Sequence, residues 1–255
     1  MRLVSYNILD GGEGRADPLA EVILAQRPDI VALVEADHPS VVERIAARAG
    51  MDFVIAEGTK HSSALLSRWP ITHSVNWGRI KHEKFANSLL EAAVLEPSGR
   101  QWTLGVMHFP SHAREADEDA REKELKALMK IFSPHRKGAR PHILCGDFNS
   151  NAPWQDIDIA KCRARTQEEW RANGNRLPRR VVQNLTDHGY VEALRSVDPE
   201  AAKTAVTFTT LHPGQRVDYI LSFGIDPGLI IDAWVEIDRL ATYASDHYPI
   251  CAEFA

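Results

Sequence analysis

The sequence predicts a mixed α/β fold in which mixed β-sheets lie inside and helices outside. Three observations carry this. Apolar runs of strand length alternate with helical segments through the first fifty residues, the mark of strand–helix–strand units. Two pairs of later runs flank the turn tetrapeptides Pro97-Ser98-Gly99-Arg100 and His212-Pro213-Gly214-Gln215, hairpin signatures that a purely parallel sheet lacks. No internal repeat or long Pro/Gly/Ser linker interrupts the 255 residues, so a single domain over 1–255 is expected.

Each element has a local reason. RLVSYNI (2–8) is a strand that the Gly11-Gly12 neighbourhood ends. Asp17-Pro18 opens a helix running to about Gln26, with proline where a missing N–H costs nothing. DIVALVE (29–35) is a buried strand. Ser40 is expected to cap a second helix, which Gly50 ends. DFVIAE (52–57) and SALLSR (63–68) are strands, and SLLEAAVLE and QWTLGVMHF flank the first hairpin turn. Residues 113–132 form a charged helix with Leu125, Leu128, Met129 and Phe132 as its apolar stripe. Its opening stretch, 113–126, reads as a solvated face. HILCGDF (142–148) is a strand, and 181–194 is expected to be helical. AVTFTTL and RVDYILS flank the second turn, and final strands run near 231–237 and 248–254.

Composition narrows the class. Thirty Lys+Arg against 35 Asp+Glu give a net charge of −5, and 44% hydrophobic with 25% charged residues excludes disorder, collagen and coiled coil as the main content. A chain of this length can bury roughly 70–75% of its unfolded surface and needs no staples. Cys145, Cys162 and Cys251 are odd in number and widely spaced, which argues against a disulfide framework and fits a reducing compartment. MRLVSYNILD lacks a secretory apolar run, and no stretch approaches the ~20 apolar residues of a membrane span. A cytoplasmic chain with no membrane span and no obligate protein partner is the expectation. The acidic balance argues against tight nonspecific nucleic-acid binding, while leaving room for an enzyme that touches a few phosphates. One segment departs from it. Lys161–Arg180 holds seven basic residues against Glu168 and Glu169, a net +5 where the remainder carries −10. It is either a phosphate-tracking wall or a solvated loop and helix, and the second reading is favoured because only Trp170 interleaves it.

The functional signal lies in where acids, amides and imidazoles sit. LVSYN ends in Asn7, IVALVE in Glu35, LGVMH in His108, and ILCGDFN in Asp147 and Asn149; Asp218 lies in RVDYIL, and Asp246-His247 precede the terminal strand. Ligands of α/β sheets gather outside the carboxyl ends of strands. Several carboxylates gathered at one end make sense around a cation, since each alone would be costly to bury. Oxygen ligands without cysteine suit Mg²⁺ or Mn²⁺. Histidine can relay a proton, and asparagine can donate to a phosphoryl oxygen as charge develops. This inventory is that of a phosphoryl-hydrolysing site.

Taken in order, SYNIL (5–9), VALVEAD (31–37), SALLSRWPI (63–71), HFPSH (108–112), GDFNS (146–150), RVDYIL (216–221) and SDHYPI (245–250) resemble the endonuclease/exonuclease/phosphatase superfamily. LTDHGYVEALR (185–195) and TFTT (207–210) fit its late helix and strand, so the resemblance covers nearly the whole chain. It implies a four-layer sandwich, two mixed β-sheets packed face to face with helices on the outer faces, and divalent-metal-dependent hydrolysis of phosphoester bonds. It implies Glu35 as principal metal ligand, assisted by Asn7, with Asp246 as a further metal-side carboxylate. Asp147 would position and deprotonate the attacking water, and Asn149 would hold a phosphoryl oxygen. His247, oriented by Asp218, would contact the scissile phosphate, and His108 would serve the phosphate or the leaving oxygen. One departure is visible: many relatives carry Gln before the metal-binding Glu, where this chain has Val34.

His61, His73, His82, His135, His142 and His188 read as ordinary surface or core residues. His38 and His112 lie beside the motifs but are not assigned to the site, and Glu91 reads as a solvated sheet position. The substrate stays open. A nuclease-type phosphodiester is favoured, a small phosphoester or lipid headgroup (inositol phosphate, sphingomyelin-like) is the alternative, and a noncatalytic binding relative is remote because no matched position is lost. The loops 72–88, 109–118 and 150–182 are expected to decide it.

Overall fold

The computed structural model describes residues 1–255. Its strands are β1 (Arg2–Asn7), β2 (Ile30–Val34), β3 (Asp52–Ala56), β4 (Ser63–Ser67), β5 (Ile71–Asn76), β6 (Leu89–Leu95), β7 (Gln101–His108), β8 (His142–Asp147), β9 (Val191–Glu192), β10 (Asp218–Phe223), β11 (Ile230–Val235) and β12 (Ile250–Phe254). They form two six-stranded sheets, ordered β11-β12-β1-β2-β4-β3 and β5-β6-β7-β8-β10-β9. Each sheet is mixed, with one parallel pair at its centre: β1 with β2, and β7 with β8.

Side-chain alternation builds the layers. Leu3, Ile30, Ala32 and Val34 from the first sheet meet Leu104, Val106, Ile143, Cys145 and Ile220 from the second in a central core. The opposite faces, through Val4, Tyr6, Val31 and Leu33, carry the helices α1 (Ala16–Ala25) and α2 (Pro39–Ala49). On the far side, Met107, Leu144, Tyr219 and Leu221 pack beneath α3 (Glu115–Ile131) and α4 (Arg180–Asp187). The result is the four-layer sandwich. Cys145, Cys162 and Cys251 are all buried and free. No helix is long and apolar enough to cross a membrane.

The same alternation places the site. Asn7 shares its parity with Leu3, His108 with Leu104 and Val106, Asp147 with Ile143 and Cys145, and Asp218 with Ile220. All four therefore point between the sheets, at the end where the central core stops.

The hairpin at 97–100 forms as expected, with Leu95 opposite Gln101. The second does not. β10 pairs with β8 and β9, while 205–211 stays irregular and Phe208 bridges singly to Gln215 and His247. Thr207 explains this: its hydroxyl takes the N–H groups of Val217 and Asp218, which draws the segment across the end of the sheet. The helix expected over 181–194 breaks after α4, because Gly189 turns the chain at φ 87 and Glu192 caps a new short helix, Ala193–Val197. The second helix begins two residues earlier than expected, at Pro39 after His38, with Ser40 inside it and no side-chain cap.

α3 is also less solvated than its charge suggests. Glu118 and Arg121 are wholly buried, 2.7 Å apart. Glu118 takes Ser150 Oγ at 2.8 Å and Val181 N at 3.0 Å, while Arg121 donates to the carbonyls of Pro110 and His112. A buried ion pair thus fixes two of the loops that border the site.

Candidate active site

β1 ends in Asn7, and its amide joins the two sheets. Nδ2 donates to Glu35 Oε1 at 3.0 Å and to Asp147 Oδ2 at 3.2 Å, while Oδ1 takes Leu9 N at 3.0 Å. Glu35 follows β2 in the left-handed region (φ 56), a conformation uncommon for a side chain of its size. Hydrogen bonds hold it there: Asp10 N donates to Oε2 at 2.8 Å, and Gly11 N donates to the Glu35 carbonyl.

Asp147 closes β8. Gly146 before it has φ 133, and a Cβ there would stand 1.9 Å from Met107 O, so only glycine lets β8 pass so close to β7. Asp147 Oδ1 takes Asn149 N at 2.8 Å, and Asn149 Nδ2 donates to Phe109 O at 3.0 Å. Around Asp147 Oδ2 stand His108 Nε2 at 3.6 Å and His247 Nε2 at 3.7 Å. His247 Nδ1 lies 2.8 Å from Asp218 Oδ2, and its ring rests on Phe208 with centroids 4.6 Å apart.

Electrostatics separate the roles. Burial pushes Asp147 up to about 7, helped by the neighbouring Asp218 charge. Burial would lower His247, but Asp218 outweighs it and the ring is raised to about 10. Burial takes His108 the other way, down to about 4, so it is neutral near pH 7. Burial opposes ionisation of Glu35, yet His108, the Asp10 N–H and the Asn7 amide hold it below the usual carboxylate range.

The donor set suits a hard divalent cation. Asp147, Asp218 and His247 offer ligand atoms within 4.8 Å of one another. Asp218 Oδ2 and His247 Nδ1 already satisfy each other, however, at 2.8 Å. The oxygens left for a cation are those of Glu35, Asp147 and Asp246, and Asp246 Oδ1 is buried with no hydrogen-bond partner.

All eight residues proposed from sequence converge here. Asn7 and Asp218 stand behind the others, which line a polar cleft of about 540 Å³ or face it. His61, read as an ordinary histidine, also lines it: Nδ1 lies 2.8 Å from Asp37 Oδ2, and its ring is 5.4 Å from that of His108. Nothing in the periodicity around His61 distinguishes it; only the pairing of β2 with β4 brings its loop beside Glu35. His112 lines the cleft as well, whereas His38 lies outside it. Glu91 is not solvated, since it accepts from Trp77 Nε1 and meets His135 Nε2 away from the site. The basic segment divides. Arg163 and Arg165 face the cleft, Arg179 binds the carbonyls of Ala152 and Pro153, and Arg180 pairs with Glu115, Asp119 and Glu122. The loops expected to shape the site supply Asn87, Ser111, His112, Arg114, Arg163 and Arg165.

Solved structures share this fold. An AP endonuclease from Archaeoglobus fulgidus is 20% identical, with a TM-score of 0.72, over 100% of this chain and 99% of that one. A 3′ phosphatase from Neisseria, solved with a product DNA hairpin, is 21% identical with a TM-score of 0.72 over 100% and 99%. The human Nocturnin catalytic domain, solved with sulfate, is 19% identical with a TM-score of 0.70 over 100% and 94%. No protein of curated function matches by sequence. The family model for the endonuclease/exonuclease/phosphatase family matches residues 4–247. With the two mixed sheets and the cluster at their ends, that match means the chain belongs to the endonuclease/exonuclease/phosphatase family and is a phosphoester hydrolase.

Proposed function

We propose that this protein is a Mg²⁺- or Mn²⁺-dependent phosphodiesterase acting on nucleic acid. The observation that carries the chemistry is Asp147 Oδ2, a buried carboxylate oxygen encircled by Asn7 Nδ2, His108 Nε2 and His247 Nε2. Asp147 orients the attacking water and takes its proton; an acid near neutrality suits that role. The His247 imidazolium, fixed by Asp218, presents Nε2–H to a phosphoryl oxygen, and Asn149 supplies a neutral donor as charge builds on phosphorus. Neutral His108 stands beside Asp147 and Glu35 and can accept or donate at the leaving oxygen. Glu35 and Asp246 would hold the cation, which when bound neutralises phosphoryl oxygens. Support for nucleic acid comes from the cleft's cationic border, Lys60, Arg114, Arg163 and Arg165, and from the neighbours described as an AP endonuclease and a DNA-bound 3′ phosphatase.

A small phosphoester is the second reading, favoured by a cleft volume within the range of small-ligand sites. The test is hydrolysis of a panel with Mg²⁺, Mn²⁺ or EDTA: abasic duplex, single- and double-stranded DNA, RNA, nitrophenyl esters, inositol phosphates and sphingomyelin. Metal-dependent turnover of a nucleic acid, lost in Asp147→Asn, is the expected result. Turnover confined to small esters transfers the conclusion to the second reading, and failure both to turn over any substrate and to bind metal overturns both.

A further inference from the structure

A second groove, about 800 Å³ in volume, lies beside the active cleft between α3 and the segment 77–84. Its walls carry Lys81, Lys84, Lys123, Lys126 and Lys130 against Glu83 alone. The lysines of this protein that pair with carboxylates are Lys161 and Lys203, so all five ammonium groups in the groove are unneutralised. In a chain of net charge −5 this is a local concentration of free positive charge.

The groove runs on from the active cleft. Lys84 lines the groove, while Ala86 and Asn87, two and three residues later, line the cleft. Glu124, buried under this junction, takes Ala86 N at 2.9 Å and feels the charge of Lys60, which itself lines the cleft. α3 spans both sites. Asp117 borders the cleft, and at about 1.5 Å per residue Lys123 lies ~9 Å and Lys130 ~20 Å further along the axis. Lys123, Lys126 and Lys130 follow helical spacing on one exposed stripe. The neighbouring acids are removed from that stripe: Glu122 is held by Arg180, and Glu124 is buried. Trp77, Ala127 and Ile131 give the groove an apolar lining.

We propose that this lysine groove is a docking track for the phosphate backbone of a nucleic-acid strand whose scissile bond lies in the active cleft. The proposal rests on the nucleic-acid reading above and extends it to a distal binding surface. The distance from Lys123 to Lys130, about 11 Å, accommodates several nucleotides at ~3.4 Å each in a stacked strand. Ammonium groups meet phosphates, and the apolar lining receives bases without sequence preference.

The test compares wild type with Lys123→Glu/Lys126→Glu/Lys130→Glu, three exposed positions outside the catalytic cluster. Binding of a labelled 30-nucleotide single strand is measured in EDTA across a salt series. Turnover is measured separately on that strand and on a nitrophenyl phosphodiester. The variant is expected to bind about tenfold more weakly, with a log–log salt slope shallower by ~2, at roughly 0.7 per lost phosphate contact. KM for the strand rises while turnover of the nitrophenyl ester is unchanged. Equal binding and equal salt slope overturn the track. So does loss of binding to phosphatidylserine vesicles with strand binding intact, which would make the groove a lipid surface. Because binding is read without metal or turnover, failure of the track is distinguishable from failure of the nuclease assignment.

Discussion

His247 Nδ1 stands 2.8 Å from Asp218 Oδ2, with ring and carboxylate both buried where the central core meets the cleft. The pair fixes which ring nitrogen faces the cleft. Nδ1 is held by Asp218, so Nε2 is the atom available beside Asp147.

Asp218→Asn removes the charge that keeps His247 protonated. Turnover is expected to fall about 10²–10⁴-fold. In NMR titration of the metal-free protein, the His247 ring should stay charged past pH 8 in the wild type and titrate lower in the variant. The sign follows from its raised value of about 10. The associated stability is fully present below the unfolded value near 6.5 and is lost as pH rises toward 10.

Asp147→Asn is expected to abolish turnover while raising stability in EDTA. Burial lifts the Asp147 carboxyl to about 7, so ionising it in the folded state costs stability between the unfolded value near 4 and pH 7. The gain in Tm should be full at pH 8 and vanish toward pH 4. Adding Mg²⁺ or Mn²⁺ should raise the Tm of the wild type more than that of the variant, because a ligand of the folded state alone stabilises it.

Arg121→Met tests the buried pair beneath the site. Glu118 would keep its bonds to Ser150 and Val181 but lose its cation, and the Pro110 and His112 carbonyls would lose their donor. Urea denaturation should show a loss of about 3–5 kcal/mol, as expected for an orphaned buried charge. Arg114→Ala, whose ion pair with Asp117 is exposed on the arginine side, should leave the urea midpoint nearly unchanged.

Gly146→Ala places a methyl group 1.9 Å from Met107 O at a φ of 133. Neither strand can yield without disturbing His108 and Asp147, which are register partners. The variant is expected to lose ~3 kcal/mol or more, by urea denaturation or by failure to accumulate as soluble protein.

Much of this was legible in the sequence because position along a strand is. Asn7, His108 and Asp147 end strongly apolar runs, where α/β sheets gather their ligands, and the ordered motifs place Glu35, Asn149, Asp218, Asp246 and His247 with them. Elements set by distant partners were not legible. The segment 205–211 has strand composition, but Thr207 and the bridge from Phe208 to His247 hold it across the site. His61 enters through the β2–β4 pairing, and Glu118 is satisfied by groups from two distant segments besides Arg121 of its own helix. Charge alone predicted solvent exposure for α3, because no local pattern announces that Ser150 and Val181 will arrive to satisfy a carboxylate.

The bond from Asn7 to Asp147 joins residues 140 apart in sequence, one from each sheet. Neither sheet carries the cluster alone: Asn7 belongs to the first, His108, Asp147 and Asp218 to the second. The cleft is thus a seam, and it exists only where the two layers meet.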